Sequence, residues 1–258
     1  MAILDVRWTL AAPDGRDTYI EGHLPGAVYV SLENELSDHT VTGRGRHPLP
    51  SGRDVQAAAR RWGVRNTVPV VVYDDWHRAG SARAWWVLTA AGISEVRILD
   101  GGLGAWIAAG GQLETGAVTP EPGDVVVRHD DLYRGARSAV TAQQAGAWSG
   151  ALLDARAPER FRGDVEPVDP VGGHIPGARN LPSTRLLTPD GALLADAELQ
   201  SLIDSVRTED TEIAAYCGSG VTASLAVAAF AAIGIDAALF PGSWSEWVSD
   251  PARPVMRG

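Results

Sequence analysis

Apolar residues along this chain fall into two kinds of run, and the two alternate. Short β-rich runs occur at Val68 to Tyr73, Val96 to Leu99, Leu152 to Leu153, Ile213 to Tyr216 and Ala237 to Phe240. Between them lie longer segments of helical character: Val55 to Trp62, Ala82 to Ala91, Ala197 to Val206 and Thr222 to Ile233. Strand followed by helix, repeated, predicts an α/β fold with a largely parallel sheet. The longest nearly apolar stretch, Ala223 to Ile233, falls far short of the roughly 20 residues needed to span a bilayer.

The pattern also repeats on a larger scale. Leu4-Asp5-Val6-Arg7 is echoed by Leu153-Asp154-Ala155-Arg156, and Gly22-His23-Leu24-Pro25-Gly26-Ala27 by Gly173-His174-Ile175-Pro176-Gly177-Ala178. The run ending Tyr73-Asp74 aligns with the one ending Tyr216-Cys217, and the segment from Gly101 to Trp106 aligns with that from Gly242 to Trp247. Four matches in one order describe a duplicated domain, with a period too long for a solenoid. Gly116 to Gly123 holds Pro120 and Pro122 and has no hydrophobic periodicity, so it reads as a connector. The expected division is a first module over 1–115, a linker over 116–137 and a second module over 138–258.

Composition narrows the function classes. The 258 residues are 45% hydrophobic and 21% charged, ordinary for a globular chain, and 22 Lys and Arg against 32 Asp and Glu give a net charge of -10. Such a surface repels phosphate backbones and anionic lipid, so neither nucleic acid nor membrane is expected as a partner. A single cysteine, Cys217, excludes an internal disulfide and any multi-thiolate metal site. The first charge, Asp5, comes too early for the apolar region of a signal peptide. A cytoplasmic protein with a reduced thiol is therefore expected.

Cys217 opens the most informative segment, Cys217-Gly218-Ser219-Gly220-Val221-Thr222, which follows a strand and leads into a helix. Glycines at 218 and 220 let the backbone curl, so that successive N–H groups line one concavity at the helix N-terminus and favour negative charge there. Two readings of Cys217 stand side by side. It is a nucleophile activated by that cradle, or a small buried hydrophobe in an Ala-rich packing region; the strand-loop-helix placement favours the nucleophile.

With these motifs the chain resembles the tandem rhodanese family of sulfurtransferases, over both halves. His174-Ile175-Pro176-Gly177-Ala178 and Gly242-Ser243-Trp244-Ser245-Glu246-Trp247 are similar to the family's N-terminal and C-terminal markers, although Pro241 stands where the second marker usually begins with aspartate. The cysteine loop resembles that of the 3-mercaptopyruvate branch; the thiosulfate branch carries basic residues just after the cysteine. The fold so implied is two tandem rhodanese-like modules, each a mostly parallel sheet flanked by helices, with the active site on the second. In the first, Asp74 takes the cysteine position.

The resemblance implies that Cys217 takes a sulfane sulfur from 3-mercaptopyruvate, or alternatively thiosulfate, holds it as a persulfide, and passes it to an acceptor such as thioredoxin, glutathione or cyanide. No cofactor or metal is implied. Gly218, Gly220, Val221 and Thr222 would line the substrate site with backbone donors, and Arg160 matches the family's carboxylate-binding arginine; from spacing alone it reads as a surface arginine. At the position of a second family arginine stands Pro167, leaving Arg162 or Arg179 as substitutes. Ser219, His47 and Glu33 match a serine-histidine-acid relay, in which neutral imidazole accepts a proton and the acid fixes its tautomer. His47 also reads simply as packing beside two prolines. With Gly218 and Ser219 after the cysteine, the loop offers dipoles and no cation, which disfavours dianionic thiosulfate.

Other prominent residues have structural readings. His23 and His174 occupy equivalent places, one of them in the half without a cysteine, and are expected to stabilise turns. Asp5 with Arg7 and Asp154 with Arg156 are expected to brace the first strand of each module. Trp85, Trp86, Trp244 and Trp247 suit core packing, and Arg83 is a weak site candidate. A cysteine phosphatase is disfavoured because its Cys-x5-Arg arginine would fall at Ala223. A non-catalytic rhodanese-type binding protein remains the other class, and it requires an unreactive Cys217.

Overall fold

The computed structural model describes residues 1–207 and 211–258. The chain divides into two compact units. Unit 1 comprises residues 1–38, 49–137 and 188–193; unit 2 comprises 39–48, 138–187 and 194–258. Each half of the sequence thus contributes one short segment to the unit built mainly by the other.

Unit 1 holds β1 (Ala2–Asp5), β2 (Ala27–Tyr29), β3 (Val70–Tyr73) and β4 (Val96–Ile98), all parallel, in the order β2-β1-β3-β4. Unit 2 repeats the plan with β5 (Ala151–Asp154), β6 (Arg179–Asn180), β7 (Ile213–Tyr216) and β8 (Ala237–Leu239) in the order β6-β5-β7-β8. The central strands β5 and β7 are buried at every position, which is why they read as unbroken apolar runs rather than alternating ones. Parallel neighbours need crossover connections, and helices supply them: Gly52–Arg61 and Ala79–Ala90 in unit 1, Asp196–Val206 and Ala223–Ala232 in unit 2. These four helices fall on the four segments expected from the sequence.

The duplication extends to buried polar pairs. Arg7 Nη2 donates to Asp5 Oδ2 at 2.7 Å, and Arg156 Nη2 to Asp154 Oδ2 at 2.6 Å. Tyr73 donates its hydroxyl to Asp5 and accepts from the backbone N–H of Leu24; Tyr216 accepts in the same way from Ile175. Burial first, then the nearby aspartate charge, raises the pKa of both phenols, so both stay protonated as donors. His23 Nδ1 lies 2.9 Å from the Tyr19 carbonyl and His174 Nδ1 2.8 Å from that of Phe161. These histidines brace turns, as expected.

Residues 116–137, read from the sequence as a linker, are part of unit 1. Gly123 donates to the Arg60 carbonyl and Val125 to that of Val64, while Val125 and Leu132 are buried. Trp85, Trp86, Trp244 and Trp247 are buried, and Arg83, fully buried, donates to the Leu36 carbonyl. Among the described residues no helix is long and apolar enough to cross a membrane.

Candidate active site

Strand β7 ends at Tyr216, and the chain turns through Cys217–Thr222 into the helix Ala223–Ala232. Gly220 makes the turn possible. Its φ is +77°, and a Cβ there would stand 2.2 Å from the Pro241 carbonyl oxygen, so neither the backbone nor the space admits a side chain. The turn brings the Gly220 N–H to 3.2 Å from Cys217 Sγ, which accepts its hydrogen bond. Cys217 is only 2% exposed. The backbone N–H groups of Gly218, Ser219, Val221 and Thr222 find no acceptor among the described residues.

The corresponding loop of unit 1 shows what fills such a cradle. Asp74, at the position of Cys217, accepts from the backbone N–H groups of Trp76, Arg78 and Ser81 and from the Ser81 hydroxyl. That loop is closed by its own carboxylate. In unit 2 the side chain at this position is a thiol, and the N–H groups of Ser219 and Val221, at the positions of Trp76 and Arg78, find no acceptor among the described residues.

The Gly242–Trp247 motif holds the cysteine loop from below. Ser243 Oγ accepts from Cys217 N–H at 3.0 Å and donates to the Phe240 carbonyl, while Trp244 and Ser245 N–H donate to the carbonyls of Cys217 and Gly218. A Cβ on Gly242 would fall on the Glu246 side chain, so any larger residue there would have to displace it. Sequence reasoning marked this motif as a family signature and missed its physical role, the bracing of both sides of the nucleophile.

The same motif seats residues 39–48. Gly45 has φ +83°, and a Cβ on it would come within 2.4 Å of the Gly242 carbonyl oxygen. That close approach lets Ser245 Oγ accept from Arg46 N–H at 3.0 Å. His47 follows, 2% exposed, and its Nδ1 is hydrogen-bonded to Ser219 Oγ at 2.7 Å. Two of the expected relay members are thus in contact. Glu33 belongs to unit 1, in the short helix Leu32–Glu35, where its Oε1 accepts from Trp8 Nε1.

Arg160 lies on the helix Pro158–Arg162, and its Nη2 donates to Glu166 Oε1 at 2.6 Å. Burial works to raise the Glu166 pKa, but the Arg160 hydrogen bond and the N–H groups of Asp169 and Val168 outweigh it and hold the carboxyl below its usual range. Pro167 sits between these residues, in the turn that folds over Glu166. The substitutes expected for a second arginine are engaged elsewhere: Arg162 pairs with Asp164, and Arg179 donates to the Val206 carbonyl. Instead Arg46 stands at the loop. A Cβ on Gly218 would be 3.3 Å from Arg46 Nη2 and 3.7 Å from Arg160 Nη1. The loop that looked free of cations therefore has two guanidinium groups beside it: Arg160, which the family resemblance implied, and Arg46, which was not legible because it comes from a distant part of the chain.

Comparison with known proteins agrees with this architecture. The Rhodanese-like domain family matches residues 1–109 and 136–250. The chain is 66% identical, over its whole length and 91% of the relative's, to a protein of Mycobacterium tuberculosis named putative thiosulfate sulfurtransferase SseB. It is 43% identical to the probable 3-mercaptopyruvate sulfurtransferase of Pseudomonas aeruginosa, covering 100% of this chain and 93% of that one. The crystal structure of the 3-mercaptopyruvate sulfurtransferase SseA from Escherichia coli superimposes with a TM-score of 0.81 at 32% identity, over 94% of this chain and 92% of that one. A family match in each half, with the sheet order repeated in each, means that the chain belongs to the rhodanese family and carries two rhodanese-like domains.

Proposed function

We propose that the protein is a sulfurtransferase that moves a sulfane sulfur from 3-mercaptopyruvate through a persulfide on Cys217 to a thiol or to cyanide. The Cys217 thiolate attacks the donor's sulfur. An S–S bond forms, the donor's C–S bond breaks, and the electron pair leaves as the pyruvate enolate, which is protonated to pyruvate. The acceptor then attacks the outer sulfur, the persulfide S–S bond breaks, and the Cys217 thiolate is restored.

One observation carries this reading: Cys217 Sγ already accepts from Gly220 N–H, in a loop where the N–H groups of Gly218, Ser219, Val221 and Thr222 find no acceptor among the described residues. A persulfide is anionic, and donors fixed in advance stabilise it without reorganisation. Asp74 and its N–H partners in unit 1 support the assignment, because there carboxyl oxygens at the same side-chain position take up such donors. Ser219 and His47 are proposed to carry the donor's thiol proton, with Glu33 as the acid that the family resemblance implies. Gly218, Val221 and Thr222 contribute backbone donors and Arg160 a guanidinium for the donor's carboxylate.

Thiosulfate is the second reading. The guanidinium groups of Arg46 and Arg160 beside Gly218 favour it, since they supply the cations that the loop sequence lacks. The same attack would then break the donor's S–S bond and release sulfite. We place the reaction in the cytoplasm, where the thiol stays reduced, with thioredoxin or glutathione as acceptor. Steady-state turnover with each donor, against cyanide and against a dithiol, tests the reading. Preference for mercaptopyruvate is expected, and absence of turnover with both donors would refute it.

A further inference from the structure

Arg46 and Arg160 share one carboxylate. Asp169, 4% exposed at its side chain, accepts from Arg46 Nη1 at 2.8 Å through Oδ1 and from Arg160 Nη2 at 3.4 Å through Oδ2. Glu166 binds Arg160 from the other side through Nε and Nη2. These contacts fix both guanidinium planes yet leave a distinct set of donors unused. Arg46 Nη2, Arg46 Nε and Arg160 Nη1 have no hydrogen-bond partner among the described residues, and Arg46 Nε is buried. A buried guanidinium N–H without a partner is costly to maintain. The open donors of both side chains converge on the space where a Gly218 side chain would be.

We propose that Arg46 is a specificity-determining residue of the donor site, which grips, together with Arg160, the anionic head of the sulfur donor over Gly218. This rests on the sulfur-transfer reading of Cys217 and adds to it the residue that supplies the second guanidinium. Consecutive Cα atoms are about 3.8 Å apart, so an anion above Gly218 is within the length of a three-carbon acid or of thiosulfate from Cys217 Sγ. Asp169 and Glu166 offset the charge of the two arginines, so recognition relies on directed N–H donors matched to planar or tetrahedral oxygens. Gly218 is part of the same device, because any side chain there would occupy the anion's place. Arg46 and His47 are neighbours in sequence, so one segment delivers both the head-group donor and the partner of Ser219.

Equilibrium binding separates this inference from the question of turnover. Cys217→Ser cannot form a persulfide, and calorimetric titration of that chain with 3-mercaptopyruvate and with thiosulfate measures docking alone. Adding Arg46→Gln should weaken binding of the recognised anion by roughly 10- to 100-fold, the range for losing charge-assisted hydrogen bonds, and Arg46→Lys should restore part of it. A loss confined to mercaptopyruvate assigns the clamp to a carboxylate, one confined to thiosulfate to a sulfonate-like head, and a loss with both to either. Unchanged affinity in a folded Arg46→Gln chain, verified by circular dichroism, overturns the inference, as does failure of the Cys217→Ser chain to bind either anion. Should Arg46→Gln fail to fold, the same titration of Arg46→Lys decides: weaker binding upholds the assignment and unchanged binding removes it. Failure of wild-type turnover, with anion binding dependent on Arg46, would instead refute the sulfur-transfer reading alone.

Discussion

His47 Nδ1 is bonded to Ser219 Oγ at 2.7 Å, joining residues 172 positions apart in the sequence. Both are nearly inaccessible to solvent, and Ser219 is two residues from the proposed nucleophile. A hydroxyl and an imidazole in such contact can pass a proton between a bound donor and the protein.

That contact makes the effect of either residue depend on the donor. Mercaptopyruvate brings a thiol proton and leaves as an enolate, whereas thiosulfate brings no such proton and leaves as sulfite. Ser219→Ala and His47→Ala should lower kcat with mercaptopyruvate by roughly 10² to 10⁴-fold and spare thiosulfate. The double variant should be little worse than either single one. Glu33→Gln should be milder. Equal losses with both donors would mean that the relay does no proton transfer.

The two loop glycines should behave differently. Gly220→Ala forces a side chain onto φ +77° and against the Pro241 carbonyl, and should destabilise the fold by about 2 kcal/mol or more. At Gly218 a methyl group would meet only the guanidinium ends of Arg46 and Arg160, at 3.3 Å and beyond, and no backbone. Gly218→Ala should therefore leave the melting temperature nearly unchanged and raise KM for the donor. Thermal melts combined with steady-state kinetics check both outcomes.

Glu166 links stability to pH. Its carboxyl lies below its ordinary value of 4.5, because the hydrogen bonds from Arg160 and from backbone N–H groups outweigh the effect of burial. A depressed carboxyl stabilises the fold fully above its unfolded-state pKa, and that stabilisation fades as pH falls through the lower folded-state value. Glu166→Gln should melt below wild type at neutral pH, and the gap should close in acid below pH 4.5. A gap independent of pH would show that the charge is not what stabilises this turn.

The helices were legible in the sequence because each shows as a continuous helical run; Ala223–Ala232 differs from the expected Thr222 to Ile233 by one residue at each end. Strand β6 is two residues long, Arg179–Asn180, with neither residue buried, so no apolar run announces it. At the site, Cys217 stood out by its strand-loop-helix motif, and the pairing of Ser219 with His47 was implied only by the family resemblance. Arg46 was not legible, because its neighbours in sequence, Gly43 to Gly45, describe only a polar loop. Its position follows from the approach of Gly45 to the Gly242 carbonyl, a tertiary contact that no local pattern encodes.

The central claim is that Cys217 carries the transferred sulfur, and mass spectrometry of the intact chain and its peptides tests it most directly. After treatment with the donor and removal of excess, the protein should be heavier by one sulfur atom, located on the peptide containing Cys217 and released by cyanide, and Cys217→Ser should gain nothing. An unmodified Cys217 in a sample that is turning over, or an equal gain in Cys217→Ser, would contradict the account.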